Sequence, residues 1–129
     1  MKILLYTGYR TGSRSLGDWL SQELDIEYHH EPFNTHNPKN LEKYANFNLD
    51  KIKNCNVLVI NCLRKENHAT HFNLAEALHF ISLVQPQKTY FTHISHKLGF
   101  HSEVSKNLPE NVFLAYDGLK ISVLINLFQ

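Results

Sequence analysis

With 129 residues, 43% of them hydrophobic and 19% charged, the chain has the composition of one ordinary globular domain. A formal net charge of +1 excludes a broad field for nucleic acid or a membrane surface, so any anion site must be local. No apolar run reaches the ~20 residues of a membrane span, and Met1 to Tyr6 is too short an apolar start for a signal peptide.

Ile3 to Tyr6 is an apolar run stopped by Thr7-Gly8, the pattern of a buried strand entering a turn. Leu16, Trp19, Leu20 and Leu24 follow at helical spacing, with Ser13 or Ser15 to cap the start. Ile26 to His29 has strand character, and Pro32 to Lys43, rich in Pro and Asn, reads as loop. Asn48 to Lys53 predicts a short helix. Asn56 to Cys62, NVLVINC, is a continuous apolar run of the kind found in a strand covered on both faces.

Asn73-Leu74-Ala75-Glu76 has the form of a capping box, and Leu74, Ala77, Leu78 and Ile81 make a helical stripe behind it. Lys88 to Ile94 predicts a strand. Ser102 to Leu108 predicts a short helix stopped by Pro109. Val112 to Tyr116 and Leu119 to Leu127 predict two closing strands, the second alternating Ile121, Val123, Ile125 and Leu127. Alternating strands and helices predict an α/β fold: a three-layer sandwich with a mostly parallel central sheet and helices on both faces. Residues 1–129 form one domain, and the polar stretch around 35–44 is its only shift in composition.

The two cysteines, Cys55 and Cys62, flank one strand, which disfavours a disulfide between them and suits a reducing cytoplasm. Thr7 to Ser15 links a strand to a helix and supplies glycines, hydroxyls and two arginines, the ingredients of a phosphate site at a helix start. Gly8 and Gly12 are four apart and followed by Ser13, which departs from a Walker A loop. The segment Arg10, Thr11, Gly12, Ser13, Arg14, Ser15, Leu16 resembles the phosphosulfate-binding loop of sulfotransferases. That resemblance covers about the first 35 residues. It implies a phosphoadenosine-type nucleotide, with Glu31 as base for the acceptor hydroxyl and Arg64 as the nearest residue for a second phosphate.

The second half carries Asn56 to Asn61, then Leu63-Arg64-Lys65, His68, His71-Phe72-Asn73-Leu74, Thr92-His93-Ile94-Ser95-His96, and Ala115 to Leu119. In that order these segments resemble the last third of metallo-β-lactamase-fold hydrolases, in particular the phosphodiesterase-like branch ending in T-H-x-S-H. The resemblance implies a two-metal site for zinc or manganese with His93 as a ligand. His71 would contact the substrate phosphate and protonate a leaving group, and His96 and His68 would lie close by. For a weak metal the candidates are His93 with His96, or His68 with His71. The H-x-H-x-D-H motif of that family does not occur here, and Asp50 is the only acidic residue near the place of its bridging aspartate. His79 on a helix face and His101 near a helix start read as structural or surface residues.

The expectation is therefore a metallo-β-lactamase-like hydrolase, or its fragment or relic, that acts on or binds phosphodiesters through an incomplete metal site. Its ligand would be a phosphate-containing small molecule or nucleotide. A homodimer would offer one way to complete such a site. The alternatives are a sulfotransferase-like nucleotide binder built on Arg10 to Ser15, and a non-catalytic or engineered α/β module. The two resemblances together suggest a chimera joined around residues 35–44.

Overall fold

The structure, a computed structural model, describes residues 3–6 and 49–122. Its centre is a four-stranded parallel sheet of β1 (Ile3–Tyr6), β2 (Val57–Asn61), β3 (Lys88–Thr92) and β4 (Val112–Leu114), in that spatial order. The register pairs Tyr6 with Ile60, Asn61 with Thr92, and Phe91 with Leu114. Two helices are described, α1 (Leu74–Val84) between β2 and β3, and α2 (His101–Lys106) between β3 and β4. The strand–helix alternation read from the sequence is thus an α/β arrangement around a parallel sheet.

Each element follows from its residues. β2 is buried along nearly its whole length, with only Val59 half-buried, as its unbroken apolar run requires. β3 alternates instead, with Thr89 and Phe91 buried and Tyr90 and Thr92 half-buried. α1 starts at a complete capping box: the Asn73 side chain accepts from Glu76 N–H at 2.8 Å, and Glu76 Oε2 accepts from Asn73 N–H at 2.9 Å. The helix buries Ala77, Phe80, Ile81 and Val84 and ends at Gln85, which takes a left-handed conformation. Phe80, Phe91, Leu58, Ile60, Ile52 and Leu98 form the fully buried centre. Cys55 and Cys62 are both buried and neither is in a disulfide.

Two expectations about strands are corrected. The strand expected to run from Lys88 to Ile94 ends at Thr92, because His93 turns left-handed with φ 53° and breaks the extended backbone. The strand expected from Leu119 is absent at 119–122. There Gly118 adopts φ +84° and Leu119 N–H donates to Tyr116 carbonyl at 3.0 Å, so a turn occupies its start. The rest of that segment lies outside the described residues, as do the helix and strand expected over 16–29 and the loop over 32–43. Among the described residues, no helix is long and apolar enough to cross a membrane.

Candidate functional site

In a parallel sheet all strands deliver their carboxyl ends to one edge, and the loops leaving that edge carry the site. Here β2 hands over at Asn61 to a loop spanning residues 62–73, and β3 hands over at Thr92 to His93-Ile94-Ser95-His96. Four histidines, His68, His71, His93 and His96, lie in these two loops.

The first loop is tied at its base. Leu63 N–H donates to Phe72 carbonyl at 3.0 Å, and Leu74 N–H donates to Arg64 carbonyl at 3.0 Å. Between them the side chain of Asn61, only 2% exposed, accepts from Phe72 N–H at 2.9 Å. Arg64 shapes the middle, its guanidinium donating to Asn67 carbonyl at 2.6 Å and to Glu66 carbonyl at 3.3 Å. The second loop is fastened to the first. Ser95 donates twice to Leu63 carbonyl, from its N–H at 2.9 Å and from its hydroxyl at 2.7 Å. Its hydroxyl also accepts from Lys97 N–H, capping the 3-10 turn His96–Leu98. Gly99, at φ +116°, ends that turn where a Cβ would stand 3.2 Å from Val104 and 3.7 Å from Lys65 Nζ.

These ties bring three imidazoles together. The rings of His71 and His93 stack, with centroids 4.7 Å apart and planes 10° apart. His68 meets His71 edge-on at 4.9 Å. The Nδ1 atoms of His68 and His71 are 3.3 Å apart, and the Thr70 hydroxyl lies 2.9 Å from His71 Nδ1. His93 is exposed, while His68 and His71 are half-buried. Around them the same loops bring Arg64, Lys65 and Lys97, against one carboxylate, Glu66. The balance is locally cationic although the chain as a whole is close to neutral.

The sequence picked out His71 and His93, and the structure brings them into contact. His96 is exposed in the first turn after Ser95, while the ring of His93 engages His71. Among the described residues the Arg64 guanidinium makes two hydrogen bonds, both to carbonyls of its own loop, of the five donors it carries. His101 is positional, as expected: its Nε2 is 3.3 Å from Leu114 carbonyl and Tyr116 meets its ring edge-on. The residues Arg10, Thr11, Gly12, Ser13, Arg14, Ser15 and Glu31 lie outside the described residues. β1, which precedes that loop, ends at the same sheet edge as Asn61. Sequence reasoning passed over Thr70 and Asn61. The one signal for Asn61 is a polar residue inside an otherwise apolar run.

A catalytic metal pair needs several converging donors, normally including a carboxylate. Among the described residues no group of three or more His, Cys, Asp or Glu side chains is placed to hold a metal ion. In the cluster the Nδ1 atoms of His68 and His71 are 3.3 Å apart and the rings of His71 and His93 are stacked, without a carboxylate among them. The described donor set does not fit that metal pair.

No protein-family model matches the chain, and no curated protein matches it. Among solved structures it is similar to the crystal structure of a new diphosphatase from the PhnP family, with a TM-score of 0.58 at 21% identity. The similarity covers 97% of this chain and 60% of the other, so the chain spans about 60% of the length of that protein. At this identity the likeness is one of fold, and that diphosphatase is a metallo-β-lactamase-fold enzyme. No comparison supports a sulfotransferase start or a chimera joined around residues 35–44.

Proposed function

We propose that the chain is a phosphoester-binding domain of metallo-β-lactamase type, descended from or acting as a hydrolase of phosphodiesters or diphosphates. One observation carries this reading: three imidazoles packed 4.7 Å and 4.9 Å apart at the carboxyl edge of the parallel sheet, in a fold shared with a diphosphatase. Neutral or cationic imidazoles flanked by Arg64, Lys65 and Lys97 suit a phosphate oxyanion better than any apolar or cationic ligand. In this reading His71 contacts the phosphate and, as the imidazolium, can pass a proton to the leaving-group oxygen.

The larger picture belongs to the same proposal. It takes residues 1–129 as one three-layer sandwich with helices on both faces of the sheet, acting in the cytoplasm on a phosphate-containing small molecule or nucleotide. Zinc or manganese would need ligands from beyond the described residues or from the second copy in a homodimer.

The test is a titration of the full chain with inorganic phosphate and with bis(p-nitrophenyl) phosphate, followed by 31P and 15N resonances, with and without added zinc or manganese. Saturable binding that His71→Ala abolishes supports the reading, and release of nitrophenolate raises it to a hydrolase. Absence of binding and turnover under every condition sinks it.

A further inference from the structure

Aromatic side chains gain free energy when buried, yet two of them are left in water at one end of the molecule. Phe100 is 76% exposed and Tyr116 is 61% exposed. Phe100 comes after the turn His96–Leu98 in the loop leaving β3, and Tyr116 lies just beyond the end of β4. Both therefore stand at the carboxyl edge that carries the imidazoles. His101 joins them: it follows Phe100 in the chain, and its ring meets that of Tyr116 edge-on with centroids 6.2 Å apart. Its own nitrogens lie 3.3 Å from Leu114 carbonyl and 3.4 Å from Ser105 Oγ, so the ring that steadies Tyr116 is itself held. Stability does not account for Phe100. It occupies the N-cap of α2, where its side chain makes no capping hydrogen bond. Serine, threonine, aspartate or asparagine would satisfy a helix N–H there, whereas phenylalanine satisfies none and buries little of itself.

We infer that Phe100, His101 and Tyr116 form a ledge for a planar ring carried by the ligand, so that the site prefers aromatic phosphoesters, the ring being a nucleobase or an aryl group. This rests on the phosphate reading proposed above and adds which phosphoesters are preferred. The ledge is continuous with the cationic loops. Lys65 Nζ lies 3.7 Å from where a Cβ of Gly99 would stand, and Gly99 N–H donates to His96 carbonyl at 3.3 Å. Gly99 thus joins Lys65 and His96 on one side to Phe100 on the other. Charge then orients the ligand. Arg64, Lys65 and Lys97 accompany the imidazoles, whereas Glu103 and Asp117 lie beside the rings in the chain. A phosphate is drawn to the first group and repelled by the second, while an uncharged ring meets no such penalty. Stacking needs only a π-face, so the ledge selects for a ring and not for one particular base.

The experiment titrates the full chain with two pairs of ligands, each pair differing chiefly in the ring, and follows 1H and 15N shifts. AMP against ribose 5-phosphate tests a nucleobase, and phenyl phosphate against methyl phosphate tests an aryl group. The ringed member of at least one pair should bind roughly tenfold more tightly, as expected for one stacked ring. A preference confined to one pair supports the ledge and says which ring it takes. Tyr116→Ala should bring the ringed ligand down to the affinity of its partner, and Tyr116→Phe, which keeps the ring, should keep most of the preference. Phe100→Ser supplies the missing cap, so it should fold at least as stably as wild type and still lose part of the preference. Equal affinities within both pairs overturn the ledge and leave the phosphate site standing. No binding of any of the four overturns both. A preference that survives Tyr116→Ala and Phe100→Ser overturns the ledge too. So does conversion of a dimer to a monomer by these variants with the preference unchanged, which would assign the rings to an interface between copies.

Discussion

Replacing Asn61 by Ala tests the footing of the candidate site. Asn61 closes β2 at 2% exposure, and its side-chain oxygen accepts from Phe72 N–H at 2.9 Å. Phe72 is itself 2% exposed and leans on Phe80 with ring centroids 5.8 Å apart, so water cannot readily replace the lost acceptor. Stripping a buried amide of such a partner costs about 1–3 kcal/mol. The small void left by the amide adds up to ~1 kcal/mol. We expect a loss of about 2–3 kcal/mol in total, a drop in Tm of roughly 8–12 °C for a domain of this size. Thermal unfolding followed by circular dichroism reads the first quantity, and hydrogen exchange at the Phe72 amide reads its cause. The amide should exchange much faster in the variant, and the His68 and His71 resonances should shift with it, because Phe72 anchors the end of their loop. A Tm within about 3 °C of wild type with Phe72 still protected would refute the reasoning.

Other substitutions probe separate parts of the argument. Asn73→Ala removes the side-chain half of the capping box and should cost about 1 kcal/mol by denaturant unfolding. Thr89 is fully buried and its hydroxyl has no hydrogen-bond partner among the described residues, so the isosteric Thr89→Val should stabilise the fold by about 1 kcal/mol. Burial pushes the Cys62 thiol up from 9.0 to about 12. Folding therefore holds its proton where the unfolded chain releases it, and stability present below pH 9.0 is lost as pH rises from there to about 12, by up to ~1.4 kcal/mol per unit. Alkaline unfolding curves that flatten in Cys62→Ala, and a native thiol inert to disulfide reagents near neutrality, would bear this out. His93→Gly relieves the left-handed backbone at φ 53° and should leave stability within about 1 kcal/mol of wild type while phosphate binding is lost.

How much of this was legible depended on whether a signal was local. The run Asn56 to Cys62 announced a strand buried on both faces, and Asn73 with Glu76 announced the helix start, because both patterns act within a few residues. The end of β3 was misjudged for the opposite reason. Thr92-His93-Ile94 continues the strand composition, yet the chain turns at His93 because Ser95 is pulled onto Leu63 from the neighbouring loop. Alternation at 119–127 suggested a strand, but the turn at Gly118 governs its first residues. In the site, His71 and His93 stood out by residue type. Their contact could not, since it arises from the parallel register that sets Asn61 beside Thr92. Thr70 and Asn61 gave almost no signal, because their roles are hydrogen bonds to backbone or ring atoms made only in the folded loop.

His93 bears on whether the cluster is more than packing. A non-glycine residue at φ 53° carries strain on the order of 1 kcal/mol, which glycine or asparagine would avoid at this turn. The stack on His71 offsets about as much, ~0.5–1.5 kcal/mol for a well-placed aromatic pair, so energy alone does not explain the choice of histidine. Exposure separates the two accounts. A stack that served stability would bury both rings, as Phe80 and Phe91 are buried, whereas His93 stands exposed at the sheet edge above a half-buried His71. Ser95 and Ile94 do the structural work of the turn, one clamped on Leu63 and the other packed on the core. That division leaves the imidazole of His93 with a presenting role, stacked on the half-buried ring of His71.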